Sequence, residues 1–574
     1  MRYLCINLKN TDIMQDKIII YQIFTRLFGN ANTTRKHNGT IEENGCGKLN
    51  AVTPAVLKRI KELGATHVWY TGVIRHATTT DYSNYGIPRQ HPAVVKGNAG
   101  SPYAITDYYD IDPDLATNVD KRMLEFEALV KRTHDAGLKM IIDFVPNHVA
   151  RQYKSIVKPN GIADFGEDDD TGKQFYPQNN FYYCPGQKFE PSIDLLHGMQ
   201  EPYDEYPAKA TGNDCFGNRP GQNDWYETVK LNYGVDYCDA GGMSTHFYPI
   251  PDTWRKILDI LMFWTEKGID AFRCDMAEMV PSAFWQWATT ELRKKHRHVK
   301  FIGEVYNPAR YREYISAGFD YLYDKVGMYD CIRDVVCGHR SATDITRQWQ
   351  VNDDIAQHML FFLENHDEQR LASDFFAGSA KKGIPALIVS ALMRKNPFML
   401  YAGQEYGERG MDEEGFSGRD GRTTIFDYWS VDSLIHGFKS RRQLTKEEKA
   451  TEFEYKTVLN IATKEKAVTQ GEFFDLMYVN PSSECFDAQR VYTFLRSCKN
   501  ETLLIAANFS DSEQDCKINI PGHAFEYLKL DKGILQSTDL MSGDKSAICL
   551  SEDSPVRLTI KPWSGKIIKI GKRK

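Results

Sequence analysis

A closed (β/α)8 barrel, interrupted by an excursion domain after its third strand and followed by a C-terminal antiparallel β domain, is the architecture this 574-residue chain predicts. Three observations carry the prediction. Eight short runs rich in β-branched and aromatic residues alternate with longer amphipathic segments, as βα units around a parallel sheet require. The interval after the third run is far too long for an ordinary βα loop. From about Gly471 the helical period stops and period-two alternation takes over.

The strand-like runs are "KIIIYQIF" from Lys17, "THVWYTGV" from Thr66, "LKMIIDFV" from Leu138, "GIDAFRCD" from Gly268, "VKFIGEV" from Val299, "FDYLYD" from Phe319, "HMLFFLEN" from His358 and "PFMLYAG" from Pro397. Between them lie helical candidates such as "VDKRMLEFEALVKRTHDAG", where Met123, Phe126, Val130 and Thr133 share one stripe and Gly137 supplies a stop. No GxGxxG or GxxxxGK[ST] follows any strand, so neither a nucleotide nor another organic cofactor is expected. Residues 150–235, rich in Tyr, Pro, Gly, Asn and Asp, form the expected excursion domain. Residues 1–149 and 236–470 are assigned to the barrel. The runs "RVYTFLR", "TLLIAANFS", "VRLTI" and "KIIKI" place a β-sandwich over 471–574.

The bulk numbers narrow the function class. A formal charge of 71 minus 77, or -6, with no basic block apart from the terminal "GKRK", gives no footprint for nucleic acid or an acidic membrane. The 12 cysteines contain no CxxC pair, which leaves reduced core thiols as the plain reading. The first 17 residues lack a cationic segment leading into an apolar one, and no later apolar run is long enough to span a bilayer. A cytoplasmic protein is therefore expected. Nothing in the sequence specifies its oligomeric state.

In a barrel of this kind, chemistry gathers at the C-terminal ends of the strands. Polar residues closing the apolar runs are Asp143, Asn147 and His148 after the third, Arg273 and Asp275 on the fourth, Glu304 after the fifth, and Asn365, His366 and Asp367 after the seventh. Singly, each has an ordinary explanation as a helix cap or loop charge. On one rim they make a cluster of carboxyls, an Arg and two His suited to an acetal carbon. Cleaving a glycosidic bond needs a carboxylate beneath the sugar and an acid beside the leaving oxygen. Alternate strand residues share a face, so Arg273 lies beside Asp275 and lowers its carboxyl pKa.

These residues resemble the four short motifs of the α-amylase family, glycoside hydrolase family 13, which appear in order as "DFVPNH", "AFRCDMAEM", "IGEV" and "ENHD". The similarity extends to "YQIFTRLF", "SPYAITDYYDIDP", "VKLN" and "YAGQEYG". It implies a retaining hydrolase of α-1,4-glucosidic bonds in starch, glycogen or maltooligosaccharides. Asp275 is the implied nucleophile, Glu304 the acid/base and Asp367 the transition-state stabiliser. Arg273, His148 and His366 match sugar contacts, Asp143 a structural anchor, and Tyr103 an aromatic platform that could equally be a packed core ring.

Several positions depart from the family pattern. Glu278 and Met279 stand where many α-amylases carry Lys-His, "SPY" replaces "HGY", and "VKLN" is nearer to the neopullulanase and cyclomaltodextrinase form. A transglycosylase or α-glucosidase of the same family stays open, as does a non-catalytic carbohydrate-binding or transporter-associated subunit. The aromatics Phe181 to Tyr183 and Trp225 either stack on sugars or form the excursion domain's own core. The resemblance also implies a possible calcium ion between barrel and excursion, with Asn147 as a side-chain ligand and the acidic run Asp164 to Asp170 as a further source of oxygens.

Overall fold

The computed structural model describes residues 17–192, 202–499 and 501–571. The N-terminal stretch up to Asp16, with Cys5, and the last three residues of "GKRK" lie outside the described residues.

Strands β1 (Ile19–Phe24), β2 (His67–Thr71), β3 (Lys139–Phe144), β4 (Ala271–Cys274), β5 (Lys300–Gly303), β6 (Tyr321–Tyr323), β7 (Met359–Phe362) and β8 (Phe398–Tyr401) close into a parallel barrel, with β8 returning to β1. Every strand falls inside one of the eight apolar runs. Period-two alternation divides each strand between two cores. Ile20, Trp69, Ile141, Ala271, Ile302, Tyr321, Tyr323, Leu360, Phe362 and Met399 fill the barrel interior. Their neighbours, such as Tyr21, Val68, Ile142, Phe272 and Phe301, pack outward in the main core. The helix Arg122–Asp135 buries Phe126, Val130 and Thr133 of the expected stripe together with Leu129, leaves Met123 half-buried, and the chain then turns at Gly137 with φ 69°.

After β3 the chain leaves the barrel through His148–Ala150, which pairs antiparallel with Thr228–Lys230 as it returns. This short ladder ties the excursion to the barrel mouth. Phe181, Tyr182 and Tyr183 are buried inside the excursion. They therefore serve its packing rather than sugar stacking.

Strands β9 (Glu472–Asp475), β10 (Val491–Cys498), β11 (Glu501–Asn508), β12 (Gln514–Ile518), β13 (Gly533–Asp539), β14 (Lys545–Leu550), β15 (Val556–Ile560) and β16 (Ser564–Gly571) make the C-terminal antiparallel region. Six of them form one sheet in the order β9-β10-β11-β16-β13-β14, and β12 pairs with β15 as a ribbon. The barrel helix Ile384–Leu392 packs against β11 and β16. That approach depends on Gly565, where a Cβ would come within 2.6 Å of Ile388 Cδ1.

Candidate active site

The alternation that fills the barrel also builds the site. Following the inward-facing positions to the C-terminal strand ends and just beyond leads from Ile141 to Asp143, from Ala271 to Arg273 and Asp275, and from Ile302 to Glu304. Arg273 is in register with Asp143 on β3 and Ile302 on β5. The Asp275 N–H donates to Phe144 O at 2.9 Å and the Glu304 N–H to Cys274 O at 3.1 Å, so both carboxyl-bearing residues prolong the sheet ladder.

Arg273, 1% exposed, is the centre of the cluster. Its Nη1 donates to Asp275 Oδ1 at 2.8 Å and lies 3.6 Å from Asp143 Oδ1; its Nη2 lies 2.9 Å from Glu304 Oε2. Nη2 is not aligned for a hydrogen bond, so that last contact is electrostatic. Nε donates to Tyr323 Oη at 3.2 Å. Judged from sequence, the guanidinium serves Asp275 and lowers its pKa. In the structure it is divided among three carboxyls, and the net effect on Asp275 is reversed: burial and the Glu304 charge push its carboxyl well above the usual range, outweighing Arg273.

Supporting groups are set by short local structures. Asp143 accepts from Trp69 Nε1 at 3.1 Å and from the Gly72 N–H at 3.2 Å, and burial raises its carboxyl to about 7. Asn365 Oδ1 accepts the N–H groups of Asp367 and Glu368, at 2.8 and 2.9 Å, which turns Asp367 over the mouth with its side chain 37% exposed. His366 Nε2 lies 3.1 Å from Asp367 Oδ2 and touches the Tyr103 hydroxyl, while the Gln22 amide nitrogen donates to Nδ1 at 2.8 Å. With that amide on Nδ1 the ring carries its proton on Nε2. Tyr103 is both buried and part of the pocket wall. His148 is held neutral, its pKa lowered to about 3 by burial and by Lys230 and Lys96.

All three acidic candidates, with Tyr103 and His148, line one pocket of about 260 Å³. Arg273, Asp143 and His366 lie behind its wall. Several lining residues were not singled out from sequence: Lys96, Met276, Glu227, Tyr306, Ile425 and Phe426. Lys96 pairs with Glu227 at 2.9 Å across the boundary between a barrel loop and the excursion. Trp225 enters the wall beside His148, ring centroids 5.2 Å apart, so it parts company with the buried "FYY" aromatics. Met276 adopts φ 42°, ψ 42°, a left-handed conformation that costs a non-glycine residue about 1 to 2 kcal/mol. Its N–H donates to Glu304 Oε2 at 2.8 Å, which ties the local strain to a carboxyl contact. Only Tyr306 had a usable sequence signal, since it continues the Ile302, Glu304 alternation.

The junction at Asn147 does not fit a calcium ion. Asn147 Oδ1 accepts from Lys230 Nζ at 2.8 Å, and the same ammonium pairs with Asp214 at 2.5 Å. The Asn147 amide nitrogen donates to Gly212 O at 2.7 Å. A buried ammonium thus already takes the side-chain oxygen expected to ligate calcium. The acidic run is engaged locally instead. Asp164 accepts the Ser155 N–H, and Asp169 accepts the N–H groups of Asn180 and Phe181. Among the described residues no group of three His, Cys, Asp or Glu is arranged to hold a metal.

The family profile described as "Alpha amylase, catalytic domain" matches residues 22–467. Alpha-amylase 3 of Dictyoglomus thermophilum is 24% identical over 475 residues, 79% of this chain and 78% of that protein. Neopullulanase 2 of Thermoactinomyces vulgaris is 20% identical over 568 residues, 96% and 77% of the two chains. The solved α-amylase of Geobacillus thermoleovorans superposes with a TM-score of 0.63 at 18% identity, covering 97% of this chain and 99% of that one, which shows the shared fold. With four motifs converging on one barrel mouth and the catalytic-domain match spanning most of its length, the chain belongs to the α-amylase family of glycoside hydrolases.

Proposed function

We propose that the chain cleaves α-1,4-glucosidic bonds of starch, glycogen or maltooligosaccharides by double displacement, with Asp275 as nucleophile, Glu304 as acid/base and Asp367 as transition-state stabiliser. One observation carries this reading: a single guanidinium holds one oxygen of Asp275 and one of Glu304, leaving each carboxyl its other oxygen for chemistry. Asp275 Oδ2 attacks the anomeric carbon while the proton on Glu304 passes to the glycosidic oxygen, breaking that bond and leaving a glycosyl ester. Glu304 then takes a proton from water, which releases the sugar with retained configuration. The first step takes Glu304 as the acid and Asp275 as the anion of the pair. Asp367, open to the pocket, is set to accept from hydroxyls of the distorted sugar and neutral His148 to donate to them, while His366 braces Asp367 from behind the wall at 3.1 Å. A cytoplasmic setting accords with the eleven described cysteines, all free thiols.

A second reading has its own support. The pocket volume of about 260 Å³ lies at the small end for ligand sites, and Trp225, Phe426 and the Lys96–Glu227 pair wall it in. That favours short substrates, as in an α-glucosidase, neopullulanase-type enzyme or transglycosylase. Initial products from maltoheptaose followed by proton NMR separate the cases. An α-anomer is expected first, and a β-anomer overturns retention. Progressive glucose release identifies exo-action, and products longer than the substrate identify transfer. Activity on sucrose but not on soluble starch, pullulan or maltotriose would exclude an α-glucan substrate.

A further inference from the structure

We propose that Tyr306 is a positioning residue for the acid/base, its hydroxyl donating to the one oxygen of Glu304 that carries the catalytic proton. The inference rests on Glu304 being the acid/base, and it starts from the two carboxyl oxygens. Oε2 accepts the Met276 N–H at 2.8 Å and faces Arg273 Nη2 at 2.9 Å. A backbone donor and a cation at the same oxygen hold it as the anionic end and disfavour a proton there. Oε1 is therefore the oxygen left for the catalytic proton, and its contact is the Tyr306 hydroxyl at 2.5 Å.

Tyr306 reaches that oxygen because it continues β5 two residues beyond Glu304, on the same face. Its own ionisation is pushed well above the ordinary tyrosine value by burial and by the charges of Glu304 and Asp367, so it stays a protonated donor. The other groups facing Glu304 are Arg273 and Asp275 from β4, Asp367 and neutral His366 after β7, and neutral Tyr323 on β6. None of them donates to Oε1. As the proton leaves Oε1 for the glycosidic oxygen, negative charge grows on Oε1 and the Tyr306 hydrogen bond strengthens. The tyrosine proton itself is not transferred. In the second step Oε1 accepts a proton from water, and the same bond weakens again.

Tyr306→Phe keeps the ring that lines the pocket and removes only the hydroxyl. On maltooligosaccharides kcat should fall about tenfold or more, with KM nearly unchanged. A hydrogen bond to the ionised carboxylate lowers its pKa, so losing it raises the pKa and moves the alkaline limb of kcat/KM upward by about one pH unit. A substrate whose leaving group needs no protonation, α-maltosyl fluoride, should lose much less in glycosylation. Melting temperature checks folding. An unmoved alkaline limb, or equal losses on the two substrates, overturns the positioning role. Glu304→Gln tested on the same pair separates this failure from that of the underlying assignment: wild-type turnover of maltooligosaccharides by that variant would remove Glu304 as the acid/base, whatever Tyr306→Phe does.

Discussion

Two buried cations lie at the barrel mouth, and they are used in opposite ways. Arg273 faces Asp143, Asp275 and Glu304, three carboxyls for one positive charge. Lys230 faces one carboxylate, Asp214, and the neutral amide oxygen of Asn147. The first cluster has more carboxyls than cations, so its members compete for one guanidinium. That frustration is what acid/base chemistry requires. The second cluster is balanced in charge and hydrogen bonding, and it joins the excursion domain to the barrel. There an internal ammonium takes up the side-chain oxygen of Asn147.

The largest test of this contrast is at the over-acid centre. Asp275→Asn and Glu304→Gln should each lower turnover by about a thousandfold or more, because each removes one half of the double displacement. Each also relieves like-charge repulsion in a buried site, so the melting temperature should stay level or rise. A large fall in melting temperature would show that these carboxyls are structural.

Next comes the balanced centre, where the opposite pattern is expected. Lys230→Met strands the carbonyl of Asn147 and the charge of Asp214, at a cost of about 3 kcal/mol, the lower end for breaking a buried pair. The excursion should become more susceptible to proteolysis. In the wild type, exhaustive chelation should leave both melting temperature and activity unchanged. A drop on chelation, reversed by calcium, would restore an ion to this junction.

His148 stands between the two clusters and allows a smaller test. Its folded pKa is depressed to about 3 from an unfolded value near 6.5. A depressed pKa contributes stability above the unfolded value and loses it as pH falls. Between pH 7 and pH 5 the wild type should therefore lose about 2 kcal/mol more stability than His148→Gln. The difference between variants matters, because buried carboxyls such as Asp143, raised to about 7, drive the wild type the other way. Equal pH slopes would mean that His148 is not held neutral by its surroundings.

The smallest effect belongs to Asp214. Its side chain is 38% exposed, so Asp214→Asn leaves a partner that water can partly replace. About 1 kcal/mol or less is expected in chemical denaturation. A loss as large as that of Lys230→Met would move the weight of the junction onto the carboxylate.

Most of the catalytic rim was legible in the chain, and for a local reason. Ile141 and Asp143, Ala271, Arg273 and Asp275, and Ile302 and Glu304 are each two apart, and a strand can only place such residues on one face. The same rule extended once more reaches Tyr306, which the motif "IGEV" stops one residue short of. The aromatics of the excursion were legible only as two alternatives, because stacking surfaces and packing surfaces draw on the same residue types. The fold buries Phe181 to Tyr183 and leaves Trp225 at the pocket.

By itself, then, sequence periodicity determined the eight strands, the interruption after the third, the β-rich end and the identity of the inward-facing charges, since all of these follow from neighbours along the chain. The apportioning of charge was decided by closure of the barrel. Arg273 meets Glu304, which is 31 residues away, only when β4 and β5 pair. Lys230 meets Asn147 only when the excursion folds back along His148–Ala150. Lys96 and Phe426 share one wall only because distant loops end at the same rim. Electrostatic interactions depend on distance through space and on exclusion of water, and neither is a property of spacing along the chain. The residue types for acid/base chemistry were therefore visible early, whereas which carboxyl oxygens Arg273 faces, and that Lys230 reaches Asn147, took the whole fold to decide.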